Sequence, residues 1–201
     1  GFKLTKIGTN QTSLVAVSVT SGDIDINLGI LSFEVASAVN GAGTMTVNPG
    51  ASLGHYRLAA GAITRPIVLN GGAITNLATT GAVSTNDAPI TLAANSFLGG
   101  STSATNSITL NGVISGAFGL TKSGNGPFVL TANNSYCGNT SINAGTLALT
   151  GEGSFSSSAN VSVAARAALD VTGRTDGMII LNNNQTLGGF GVVTGIVAVA
   201  S

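Results

Sequence analysis

Residues 120–149 read LTKSGNGPFVLTANNSYCGNTSINAGTLAL, and almost nothing in that stretch carries a charge. Short aliphatic alternations hold Leu130, Ile142, Leu147 and Leu149, and glycine, asparagine and threonine separate them. Apolar and polar residues alternating over a few positions give the period of a half-buried strand. Asparagine and glycine accept the positive φ that tight corners require. The stretch therefore reads as strand, corner, strand, with Ile142 and Leu147 both directed inward across the SINAGTL corner.

The same rhythm runs through the chain. IDINLGILSF, GTMTVNPGASL, RPIVLNGGAIT, APITLAANSFL, NSITLNGVIS, NVSVAARAALDV and GIVAVA all alternate in this way. Corner signals stand between them at Asn40-Gly41, Asn70-Gly71-Gly72, Asn111-Gly112 and Asn125-Gly126. The sequence also repeats itself. FKLTKIG at 2–8 matches FGLTKSG at 118–124, and INLGIL at 26–31 matches INAGTL at 142–147, both at an offset of 116 (4 to 120, 31 to 147). A second echo joins ITLAANSFLGG at 90–100 to IILNNNQTLGG at 179–189. The prolines stand singly at turns, and no linker interrupts the pattern. The expectation is one continuous segment over 1–201, with a first repeat copy at about 1–116 and a partial second copy at about 117–201.

An antiparallel sandwich and a parallel β-helix both use short strands and turn residues. The repeat is too long for one hairpin, aromatics are only 4% with no Trp, and a glycine corner joins one strand directly to the next. These features favour an all-β, single-stranded parallel β-helix, a solenoid of about ten coils at roughly 20 residues each. Stacking would align apolar residues into inward ladders and corner asparagines into ladders of their own.

Composition excludes several function classes. Charged residues make up 7% of the chain, and seven Lys+Arg balance seven Asp+Glu. No basic stripe exists to bind nucleic acid or an anionic membrane surface. No apolar run approaches the roughly 20 residues of a spanning helix, so no membrane insertion is expected. One cysteine, Cys137, excludes an internal disulfide and is expected at a corner as a semi-exposed thiol. The chain opens on Gly1-Phe2-Lys3 and closes on Val199-Ala200-Ser201 within an apparent strand, so a longer parent polypeptide is expected.

The run 119–147 resembles the passenger-associated transport repeat, also called the autotransporter-associated β-strand repeat. Gly119, Leu120, Lys122, Gly124, Gly126, Leu130, Tyr136, Gly138, Thr140, Ile142, Gly145 and Leu147 occupy the family's positions without a gap. The first copy keeps Leu4, Lys6, Gly8, Leu14, Gly22, Ile26, Gly29 and Leu31, but has Thr20 for the tyrosine and Asn10 for the second glycine. The resemblance implies a right-handed helix and a bacterial surface or secreted protein, outer membrane-associated where a barrel follows such a passenger.

Reactive groups do not converge. Asp23 and Asp25 share one strand face, near glycosidase spacing, yet the second copy has Asn139 and Ser141 there. His55, the single histidine, is expected to be a surface or packed residue. Metal-ligand sets, calcium-binding repeats and a dinucleotide fingerprint are missing from the sequence, so no cofactor is expected. Asn133, Asn139, Asn160 and Asn184 stand in Asn-x-Ser/Thr triplets, as chance predicts in so rich a chain. No residue is assigned a catalytic, cofactor-binding or metal-ligating role. The expected function is non-enzymatic: a structural or adhesive stalk, adhesin or fibre segment. Its expected partners are surface glycans and other copies or flanking coils, arranged end to end. The alternative is a polysaccharide lyase or hydrolase built on Asp23, Asp25 and His55.

Overall fold

The computed structural model describes residues 2–155 and 157–200. Among these residues there are only strands, turns and irregular segments, with no helix and so none that could cross a membrane. Every strand pairing is parallel. The chain winds as a β-solenoid whose coils visit three faces in turn.

The first face is a six-stranded sheet running from Lys3–Lys6 through Asp23–Ile26, Met45–Val47, Ile67–Asn70 and Ile90–Ala94 to Ile114–Gly116. The second is nine-stranded, from Gln11–Val15 at one end to Thr140–Ile142, Asn160–Val163 and Thr186–Gly189 at the other. The third holds six strands, from Val83–Asn86 to Val192–Thr194. The nine strands of the second face make about nine coils, one fewer than expected. Coil length explains the difference. Register partners are 19 residues apart at Gln11 and Ile30 but 26 apart at Ser162 and Gly188.

The expected inward ladders are present. On the second face Leu31, Leu53, Ile74, Leu98, Lys122, Ile142 and Val163 stack in register, and all are buried. On the first face Ile24, Met45, Ile67, Ile90 and Ile114 do the same, and on the third Ile108, Phe128, Leu147 and Leu169. Leu130 and Leu149 of the opening stretch are also fully buried. Each ladder removes its apolar surface from water at roughly 25 cal/mol per Å².

Corner residues hold the coils in register. Asn48 Nδ2 donates to Asn27 Oδ1 (2.8 Å), and Asn70 Nδ2 donates to Asn48 Oδ1 (3.0 Å), so one amide ladder crosses three coils. Gly145 turns the SINAGTL corner at φ +64°, and a Cβ there would lie 2.5 Å from the Gly124 carbonyl oxygen. Gly112 differs from the expected turn glycine. Its φ is not positive, and its requirement is space, because a Cβ would stand 1.9 Å from the Ala88 oxygen.

The offset of 116 has an exact contact-level counterpart and an unexpected phase. Lys6 Nζ donates to the carbonyls of Ile7, Gly8 and Leu28 (3.2, 2.7 and 3.0 Å). Lys122 Nζ donates to those of Ser123, Gly124 and Ala144 (3.0, 2.7 and 3.0 Å), each 116 residues further on. Yet Lys6 lies on the first face and Lys122 on the second. The unit spans five steps along the first face, from Lys3–Lys6 to Ile114–Gly116, plus one further face. Equivalent residues in the two copies therefore look out in different directions. The shorter echo at 90–100 and 179–189 is in phase, since Ser96–Gly100 and Thr186–Gly189 both belong to the second face.

Candidate functional site

Asp23 and Asp25 do share the outer side of their strand, with Ile24 and Ile26 buried beneath them. Both carboxylates join neighbouring coils. Asp25 Oδ2 pairs with Lys3 Nζ at 2.7 Å, and Asp23 Oδ1 accepts the Thr44 backbone N–H at 2.9 Å. A salt bridge this exposed contributes little stability.

His55 is packed, as one of its two expected placements had it. It is fully buried on the second face, in register with Phe33 and Asn76, far inside the coil. Asn86 Oδ1 accepts the Ala88 N–H (2.9 Å), which turns Asn86 Nδ2 toward His55 Nε2 at 2.9 Å. Nε2 is then the acceptor, and the neutral ring carries its proton on Nδ1. Burial pushes the imidazole down to about 4. Such a group holds a core together and has no route to a substrate.

Cys137 is exposed at a corner, with Sγ donating to the Gly116 carbonyl at 3.7 Å. Asn139 and Asn160 form a second amide ladder (3.0 Å), which Thr186 extends through its hydroxyl (2.6 Å). Asn184 occupies a left-handed position at φ +66°. No group of three or more His, Cys, Asp or Glu side chains that could hold a metal occurs among the described residues.

Sequence reading missed the buried cations. Lys122 is 1% exposed and stands in an aliphatic ladder between Leu98 and Ile142. Its three backbone carbonyls and the Phe128 ring, 5.7 Å away, replace the water that its ammonium loses. Burial lowers it to about 8, so it stays charged at neutral pH. Arg65, also fully buried, donates to the carbonyls of Gly22 (2.6 Å), Val19 (3.1 Å) and Asn40 (2.7 Å). The available signal was positional. Lys122 falls where the alternation demands an apolar residue.

Two depressions among the described residues bear on binding. A shallow one on the second face is lined by Asn95, Gly119, Thr121, Asn139 and Ser141. The other is a cleft of about 380 Å³ near the third face, walled by Asn133, Glu152, Arg174 and Ile180 over a floor of Phe155 and Ile179. It lies beside stacked coils, where Asn133 pairs with Ser154 and Gly151 with Arg174. Arg174 ties the Gly153 stretch to the stretch at 176–178 beside the cleft. Its Nε donates to Asp176 Oδ1 (2.9 Å) and the Met178 carbonyl (2.6 Å), Nη2 donates to Asp176 Oδ2 (2.9 Å), and Nη1 donates to the Gly153 carbonyl.

The family profile described as passenger-associated-transport-repeat matches residues 120–149. The chain is 36% identical over 124 residues, 61% of its length, to a protein named adhesin BmaC autotransporter of Brucella suis biovar 1 (strain 1330). It spans 4% of that relative's length. No solved structure matches. Residues 120–149, with which the sequence reading began, match the passenger-associated transport repeat, and a larger part of the chain is similar to a protein named as an autotransporter adhesin.

Proposed function

We propose that this segment is an extracellular structural and adhesive stretch of a bacterial surface or secreted protein, displayed at the outer membrane. The observation that carries the reading is the passenger repeat built into a continuous parallel solenoid, whose reactive side chains serve coil-to-coil contacts. The name of the 36% identical relative, an adhesin, supports it. In this reading the helix is right-handed, as strand crossovers between parallel strands almost always are. The exposed apolar residues of the outermost coils, Ile7 and Val15 at one end and Val192 and Val199 at the other, are covered by flanking coils or by a second copy. Many weak contacts along a long stack gain strength from multivalency. The enzyme alternative draws no support from Asp23, Asp25 and His55, since the acids bind neighbouring coils and the histidine is sealed in the core.

The test is a pair of measurements. Antibodies raised against this segment should label intact cells that express the parent protein, and surface protease treatment should remove the signal. Beads coated with the segment should attach to host cells or extracellular matrix more than beads coated with an unrelated β-solenoid. Labelling only after permeabilisation, or equal attachment by both bead types, would overturn the proposal.

A further inference from the structure

The geometry points to the cleft of Asn133, Glu152, Arg174, Ile179 and Ile180 as a subsite for one ring of a neutral saccharide, an inference that rests on the adhesive reading above. Its volume of about 380 Å³ falls in the size range of small-molecule sites. Two kinds of surface meet in it. Ile180, 47% exposed, and the Ile179 and Phe155 floor offer an apolar surface against which the C–H face of a sugar would rest. The same cleft is lined by the Glu152 carboxylate and the Asn133 amide, which suit hydroxyls because the first accepts and the second can donate.

The orientation of these groups follows from their other contacts. Ser154 Oγ donates to Asn133 Oδ1, so Nδ2 is the donor that this cleft-lining amide can offer a ligand. Glu152 Oε1 accepts from Thr175 Oγ1 at 3.3 Å, and its second oxygen remains for a ligand hydroxyl. The Arg174 clamp holds both walls before any ligand arrives, which reduces the ordering cost of binding. Charge selects the class of sugar. The Arg174 guanidinium is matched by Asp176, at 2.9 Å, so Glu152 is the unbalanced charge in the cleft. An anionic sugar would be repelled, and a neutral one keeps its hydroxyl contacts.

The test uses the whole 201-residue chain. Methyl glucoside, methyl galactoside and methyl mannoside are titrated and followed by amide chemical shifts, with N-acetylneuraminic acid and free lysine as charged controls. The expected result is a saturable shift at Asn133, Glu152 and Ile180 with at least one neutral glycoside. Glu152→Ala and Ile180→Ser, both at exposed positions, should weaken it at least tenfold with unchanged thermal melting. No saturable shift, a response to the charged controls alone, or full binding by both variants would overturn the proposal. The same variants on beads separate this idea from the adhesive reading. Attachment kept by both variants sinks the cleft alone, whereas failure of the unaltered chain to attach sinks the broader function.

Discussion

Lys122 and Ile142 are neighbours in one inward ladder and show what a buried position demands. An ammonium is accepted at 122 because a four-carbon stem carries it to three corner carbonyls. Lys122→Met fills the ladder but leaves those carbonyls unpaired, and should lower stability by roughly 1–3 kcal/mol in urea unfolding. Ile142→Asp places a charge on a stem too short to reach a corner. It should cost several kcal/mol, and limited proteolysis should cut the variant far faster than the parent. His55 sets the acid limit. Its folded value of about 4 lies below the ordinary 6.5, so the unfolded chain takes up a proton that the folded chain refuses. Stability should therefore fall as pH drops from 6.5 toward 4, by roughly 3 kcal/mol in all. The chain has one histidine, so the slope just below pH 6.5 isolates it, and His55→Gln should flatten that slope in pH-dependent melting.

At the scale of the strand and corner, the sequence was most readable where one rule acts alone. Alternation located the strands around Ile142 and Leu147, and asparagine and glycine marked the corners between them. The offset of 116 was equally plain, but its phase was not. Which face a strand joins depends on the summed lengths of all preceding coils, and these range from 18 to 26 residues. Thus Asp23 and Asp25 look out from the first face, while their counterparts Asn139 and Ser141 belong to the second. The candidate cleft was illegible for the same reason. Asn133, Glu152, Arg174 and Ile180 form no motif, and only the stacking of coils brings them together, with Asn133 beside Ser154 and Gly151 beside Arg174. The corner ladder makes its own prediction. Asn48→Ala removes two amide bonds and Asn27→Ala one, so the first should cost about 1–2 kcal/mol in urea unfolding and about twice the second.

Across the whole molecule, the low charge and the single repeated rhythm are consequences of stacking. Each coil finds its partners in the coils beside it, so length is added without a new core. Such a rod suits display of a surface far from the cell, and the adhesive reading uses that reach. Everything depends on the coils lying in register along one axis. That claim is tested most directly by electron–electron distance measurements between spin labels, in a Cys137→Ser background. Gln11, Ser52 and Ser162 share one outer column of the nine-stranded sheet, with Ser162 five rungs from Ser52 and seven from Gln11. At the spacing of paired strands, the account predicts backbone separations of about 24 Å for Ser52→Cys with Ser162→Cys and about 34 Å for Gln11→Cys with Ser162→Cys. Equal distances for the two pairs, or a shorter one for the more distant pair, would contradict the solenoid and everything argued from it.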